Sequence, residues 1–210
     1  MARGCFVVLE GPEGSGKSTL APQLAEWLRN RRIDVLLVRE PGSTPVAEAL
    51  RAELLVADRH WTPEMELLYY VTARADHVTH VIRPALEAGR LVMSDRYEMS
   101  TRAYQGAGRG VDRDHLEWVN RAATGGLVPD LTLVLALPAD TGLERLRASG
   151  RRPDRLDRES LEFHRRVAAY YQAVQGPGIR HLDATQPLDQ LLPLAVAELR
   201  AVIPQLVLEP

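Results

Sequence analysis

The stretch "CFVVLEGPEGSGKSTLAPQLAEWL" (5–28) constrains the fold of this chain more than any other. Its first six residues, "CFVVLE", are an apolar run that halts at a glycine, the pattern of a strand buried on both faces of a parallel sheet. From Ser18 onward, Leu20, Leu24, Trp27 and Leu28 recur at helical spacing. Between strand and helix, "GPEGSGKS" (11–18) fits G-x-x-x-x-G-K-[ST] at every position. Strand, glycine-rich turn and helix in this order form a P-loop. The glycines let consecutive backbone N–H groups point inward at an anion, and the helix adds the positive end of its dipole.

The cations of the chain sharpen this reading. Of twenty-six basic residues, Lys17 is the only lysine. A chain that writes every other cation as arginine keeps a compact, mobile ammonium here, where a planar guanidinium would fit a phosphate oxygen poorly. Ser18, next in line, offers a hydroxyl to Mg²⁺, a hard ion that prefers oxygen ligands and phosphates.

The remaining pattern alternates strands with helices. Strands are expected at 34–40, 90–95, 130–137 and 178–184, the last one weaker. Helices are expected at 44–56, 62–89, 114–124, 139–148, 157–174 and about 188–201. Thr44-Pro45 and Thr62-Pro63 start two of them as N-cap and first-turn proline, and Pro84 is placed to bend the long one. With no hairpin signal, this order predicts an α/β fold: a P-loop NTPase-type five-stranded parallel sheet with helices on both faces. The length of 210 residues suits one domain spanning 1–210, with a short arginine-rich lid at about 148–158. The tail "PQLVLEP" is either loosely ordered or an edge contact.

Composition excludes several classes. The net charge of −2 gives no global basic field for nucleic acid. Cys5 is the only cysteine, so no disulfide forms within the chain. No apolar run reaches the ~18 residues of a membrane span, and the first residues lack a secretory apolar region. The expected compartment is the cytoplasm.

Three further segments narrow the chemistry. "VREPGSTPVAEALR" (38–51) lies past the second strand, at the sheet edge where open α/β folds bind ligands, and offers Arg39, Glu40 and Arg51. An ordinary solvated turn would read the same way. "LVMSDRYEMSTRAYQGAGRG" (91–110) puts Asp95 at the end of a strand, suited to Mg²⁺ or its water shell, or simply to capping a helix. Arg96 beside it suits a bidentate phosphate contact, and Thr101, Tyr104 and Gln105 follow. "RASGRRPDRLDRE" (147–159) packs charge between two helices with Gly150 and Pro153 as breakers. It reads as a solvated loop or as a mobile flap bringing arginine to a transferring phosphoryl group, and the P-loop favours the flap.

Together these segments resemble the thymidylate kinase family, which phosphorylates dTMP with ATP. "EGPEGSGKST", "REPGSTPVAEALR", "LLYYVTARADHV", "SDRYEMSTRAYQGAGRG", "PDLTLVLAL" and "DRLDRE" occur in the family's order and spacing over roughly residues 5 to 185. The resemblance implies that Gly11, Pro12, Glu13, Gly14, Ser15, Gly16, Lys17, Ser18 and Thr19 bind ATP and Mg²⁺, the ion resting on Ser18 and Asp95. It implies that Arg39 and Arg96 hold the dTMP phosphate, with Glu40 and Arg51 beside it, and that Glu13 lies near the acceptor's sugar. Tyr70 would stack on thymine where an aromatic, commonly Phe, stands in the family. Arg74 would bond the base, Thr101 and Gln105 its edge, and Tyr104 would crowd the sugar 2′ position. No arginine occupies the variable P-loop positions, so the transition-state cation has to come from the lid. Arg155 in "DRLD" matches the usual lid arginine best, with Arg151 and Arg152 as alternatives. "DRLD" replaces the common "DRxE", which leaves Asp157 without an assigned role. The resemblance also implies a homodimer built on helices such as 62–89.

The chemistry so implied is attack by an ionised phosphate oxygen, in which positioning and charge neutralisation matter more than a general base. The catalytic set is then Lys17, Asp95, Arg96 and Arg155. A deoxynucleoside kinase or another P-loop small-molecule kinase is the alternative. A guanine-reading switch is excluded, because its N-K-x-D segment needs a second lysine.

Overall fold

The computed structural model describes residues 3–56 and 58–203, so the tail at 204–210 lies outside the described residues. Its centre is a parallel sheet of β1 (Phe6–Glu10), β2 (Val35–Arg39), β3 (Leu91–Asp95), β4 (Leu131–Ala136) and β5 (Ile179–Asp183), in the spatial order β2-β3-β1-β4-β5. The register sets Leu9 beside both Asp95 and Leu133, so β1 and β3 end within one residue of each other while β4 runs on to Ala136. The chain leaves β1 toward β2 and β3 on one side and later crosses from β3 to β4 on the other, so the strand order reverses at β1, where the ligand crevice of such sheets opens.

Both faces of the sheet are covered, as the unbroken apolar strands require. Val7 and Leu9 pack with Leu20, Leu24 and Leu28 of α1 (Lys17–Arg29) and with Leu191, Ala195 and Leu199 of α9 (Leu188–Arg200). Phe6 and Val8 point the other way, onto Val78, Ile82 and Leu86. Full burial of each Val, Leu, Ile or Phe among these contributes about 1.5–3 kcal/mol. A third cluster joins Val134 to Tyr104 and to Phe163, Val167 and Tyr171 of α8 (Leu161–Ala173).

The remaining elements carry the site. α2 (Pro45–Leu54) and α3 (Pro63–His77) start as expected, Thr44 and Thr62 each accepting a backbone N–H through the side chain. The long helix does not run uniformly to Gly89. It widens to a π segment at Val78–Ile82 before α4 (Arg83–Glu87). Pro84 supplies the reason, since it donates no hydrogen bond and its ring crowds the carbonyl four residues back. A short α5 (Glu98–Thr101) leads into a second π segment, Arg102–Gly108, before α6 (Arg113–Thr124). Neither α5 nor this segment was expected as an element from the sequence. α7 (Ala139–Ala148) has its expected bounds. α8 begins at Leu161 rather than 157, because Ser160 caps it by accepting from Phe163 N at 3.2 Å. Upstream, Asp154 and Asp157 bond each other's backbone N–H and close a turn instead. No helix among the described residues is long and apolar enough to cross a membrane.

Candidate active site

The P-loop leaves the carboxyl end of β1 and enters α1 at Gly16, whose φ of 92° is left-handed and suits glycine. Gly14 is needed for a second reason. A Cβ there would stand 2.2 Å from the carbonyl oxygen of Gly142 on α7, so loop and helix touch backbone to backbone. Lys17 folds back across the loop, donating to Gly11 O at 2.9 Å, Pro12 O at 2.8 Å and Ser15 Oγ at 3.0 Å. Burial, with Arg96 nearby, brings its ammonium down to about 8 despite Glu13 and Asp95.

Arg96 joins this loop to the next compartment. It follows β3 with a φ of 76°, a left-handed conformation that costs a non-glycine residue about 1–2 kcal/mol. The turn is fixed by Arg96 N donating to Leu9 O at 2.9 Å. Its guanidinium then reaches Gly11 O at 3.1 Å, Glu13 Oε1 at 2.6 Å and Tyr104 OH at 3.0 Å. Tyr104 OH also donates to Glu13 Oε1 at 2.9 Å. Burial would raise the Glu13 carboxyl, but Arg96 and Lys17 outweigh it and hold the group at about 2.

A cleft of about 630 Å³ runs from Lys17, Ser18 and Asp95 past Arg96 to Arg39, Arg51 and Tyr70. Glu40, Arg74, Thr101, Tyr104 and Gln105 line it as well, so the residues expected at the acceptor lie together. Several are already engaged. Arg39 bonds both oxygens of Glu48 at 3.0 Å, and Arg51 donates to Pro41 O at 2.9 Å. Arg74 is almost fully buried and reaches Glu40 at 2.8 Å, Thr101 and Asn120 at 2.7 Å and Tyr97 O at 3.0 Å. Burial opposes ionisation of Glu40, yet Arg74 and His77 pull its carboxyl below the usual range. Burial pushes the Tyr70 phenol upward.

The lid residues divide. Arg151 lines the cleft and is held by Asp157 at 2.6 Å and Asp154 at 3.3 Å. That pairing is the role the sequence left open for Asp157, whose carboxyl burial raises to about 6. Arg152 is exposed and outside the cleft lining. Arg155 departs from expectation: it does not line the cleft. It is buried, donating to Leu54 O at 2.9 Å and paired with Glu66 at 2.7 Å. A carboxylate buried on α3 is a stronger local attractor for this guanidinium than the solvated mouth of the cleft.

Other contributors escaped the sequence reading. Glu10 ends β1 fully buried and accepts from Tyr97 N at 2.8 Å, Ser100 Oγ at 2.7 Å and Tyr171 OH at 2.7 Å. It thereby seats the segment after β3 under the P-loop, and burial raises its carboxyl. A carboxylate closing an apolar strand was the available signal. Glu66, Ser100, Asn120 and Tyr171 gave none, because their partners lie far along the chain. Arg145 of α7 also lines the cleft, donating to Ala184 O at 2.8 Å.

A P-loop facing a second, arginine-lined compartment across one cleft is the arrangement of a P-loop phosphotransferase. The family model described as "Thymidylate kinase" matches residues 9–193, and the chain belongs to the thymidylate kinase family of ATP-dependent nucleoside monophosphate kinases. It is 49% identical over 185 residues to a thymidylate kinase of Thermomicrobium roseum, covering 87% of this chain and 88% of that one. To a thymidylate kinase of Gloeobacter violaceus it is 47% identical over 183 residues, covering 85% and 86%. With a thymidylate kinase of Desulfovibrio desulfuricans the identity is 46% over 197 residues, covering 89% and 91%.

Proposed function

We propose that this chain transfers the γ-phosphoryl group of ATP to dTMP, giving dTDP for dTTP synthesis, as one domain whose segment 148–158 acts as a lid. The observation that carries the reading is the continuity of the cleft: Arg96 touches both the P-loop and the acceptor compartment. The amides of 11–18 and the Lys17 ammonium hold the donor phosphates. Arg39, Arg51 and Arg96 hold the acceptor phosphate, whose ionised oxygen attacks in line. Tyr70 stacks on the base, and Arg74, Thr101 and Gln105 read its edge. Glu13 and Tyr104, bonded to each other, bound the sugar. Arg151, from the lid, neutralises charge on the transferring group. Arg155 anchors the lid instead.

Ser18 and Asp95 fit Mg²⁺ as oxygen donors at the mouth of the cleft. No group of three or more acidic, His or Cys side chains among the described residues would hold a metal ion without further ligands. This is the pattern of an ion carried largely by substrate phosphates. When bound, Mg²⁺ neutralises charge on the donor phosphates. The reading includes a cytoplasmic homodimer, supported by the apolar side chains Met65 and Leu68 exposed on α3 and Trp118 exposed on α6, two helices that pack together.

The test is an ADP-coupled assay with ATP and Mg²⁺ across a panel of monophosphates, with thymidine alongside. Turnover is expected with dTMP. Turnover of thymidine without dTMP would overturn the reading.

A further inference from the structure

Glu66 is a fully buried carboxylate that stands outside the reaction as described above. Its carboxylate joins two regions. Oε1 accepts from Gln105 Nε2 at 2.7 Å, and Gln105 lines the acceptor end of the cleft. Oε2 pairs with Arg155 at 2.7 Å and with Arg109 at 3.0 Å, and Arg109 Nε also reaches Oε1 at 3.3 Å beside Gln105. Arg109 in turn holds Glu159 at 2.6 Å, just beyond the lid, while its guanidinium lies over the Phe163 ring at 4.6 Å. Arg155 also donates to Leu54 O, the end of α2. One carboxylate thus fixes a cleft-lining amide on one side and the root of the lid on the other. Glu66 needs its cations, since a buried charge left unpaired is strongly destabilising. Its position therefore follows theirs.

We propose that Glu66 is a positioning residue that makes the contact of Gln105 with the acceptor base depend on the anchorage of the lid through Arg155. The proposal rests on the reading that Gln105 touches that base. Loosening Arg155 leaves Arg109 as the one cation on the carboxylate, and Glu66 resettles on it, so that Arg109 Nε competes with the Gln105 amide for Oε1. Arg155, which does not line the cleft, then governs the use of dTMP.

The experiment is a double-mutant cycle with Gln105→Ala, Arg155→Met and the pair, measuring kcat and KM for dTMP and for ATP, with the unfolding midpoint of each variant. Arg155→Met is expected to raise the KM for dTMP about three- to tenfold, in the range of coupling between residues sharing a network, and that for ATP less. In the Gln105→Ala background the same change should shift the KM for dTMP less than about twofold. Should Arg155→Met fail to fold, Glu159→Gln, which frees Arg109 on the lid side, is expected to give the same pattern at smaller size. Equal factors in both backgrounds, with the midpoint lowered and ATP and dTMP affected alike, would mean a structural role alone and overturn the proposal. So would a fall in kcat with the KM for dTMP unchanged, which would return Arg155 to the transition state. A Gln105→Ala enzyme that uses dTMP normally would overturn the base contact itself, and the coupling with it.

Discussion

Lys17 carries its charge beneath the P-loop with three oxygen acceptors around it. Burial lowers its pKa from 10.5 to about 8, so the ammonium is present below pH 8 and lost above it. In the free enzyme, kcat/KM for ATP should hold steady below pH 8 and fall about tenfold per unit well above it, as a pH–rate profile will show. Lys17→Ala should abolish turnover with the circular dichroism spectrum unchanged. Arg151→Ala should lower kcat about a hundredfold to a thousandfold, the effect of removing one preorganised donor to a transition state. Its KM for dTMP should change little in steady-state assays. Lys17 was legible because loop chemistry is local. The choice between Arg151 and Arg155 was not, since either long side chain reaches several partners. Leu54, whose carbonyl takes Arg155, is 101 residues away.

At the level of elements, apolar spacing predicted the strands and most helices within a few residues. It missed the π segment Arg102–Gly108, which carries Tyr104 and Gln105 into the cleft. A π turn changes the backbone ladder without changing residue types, so spacing alone does not announce it. The seat of the P-loop on α7 was equally hidden. A Cβ on Gly142 would stand 2.3 Å from the Glu13 carbonyl oxygen, and neither backbone can give cheaply. Gly142→Ala gains up to about 1 kcal/mol of helix propensity. Overpacking of about 1–3 kcal/mol should outweigh it. The variant is expected to have a lower unfolding midpoint by calorimetry and a raised KM for ATP in steady-state assays, although residue 142 lies in no nucleotide motif.

For the whole molecule, burying the apolar side chains left exposed on α3 and α6 is the reason to expect a dimer. Leu68→Glu and Trp118→Glu, at 53% and 69% exposure, lie too far out to disturb the core. Either should shift the sedimentation coefficient from dimer toward monomer. What the sequence determined by itself was the parallel α/β plan and the P-loop. These follow from backbone conformation, side-chain period and local charge, all properties of short stretches. Only the tertiary structure decided which arginine faces the cleft, that Glu10 seats the segment after β3, and that Glu66 gathers Gln105, Arg109 and Arg155. A buried carboxylate takes whatever donors the fold delivers to it, and those donors come from segments whose separation along the chain says nothing about their distance in space.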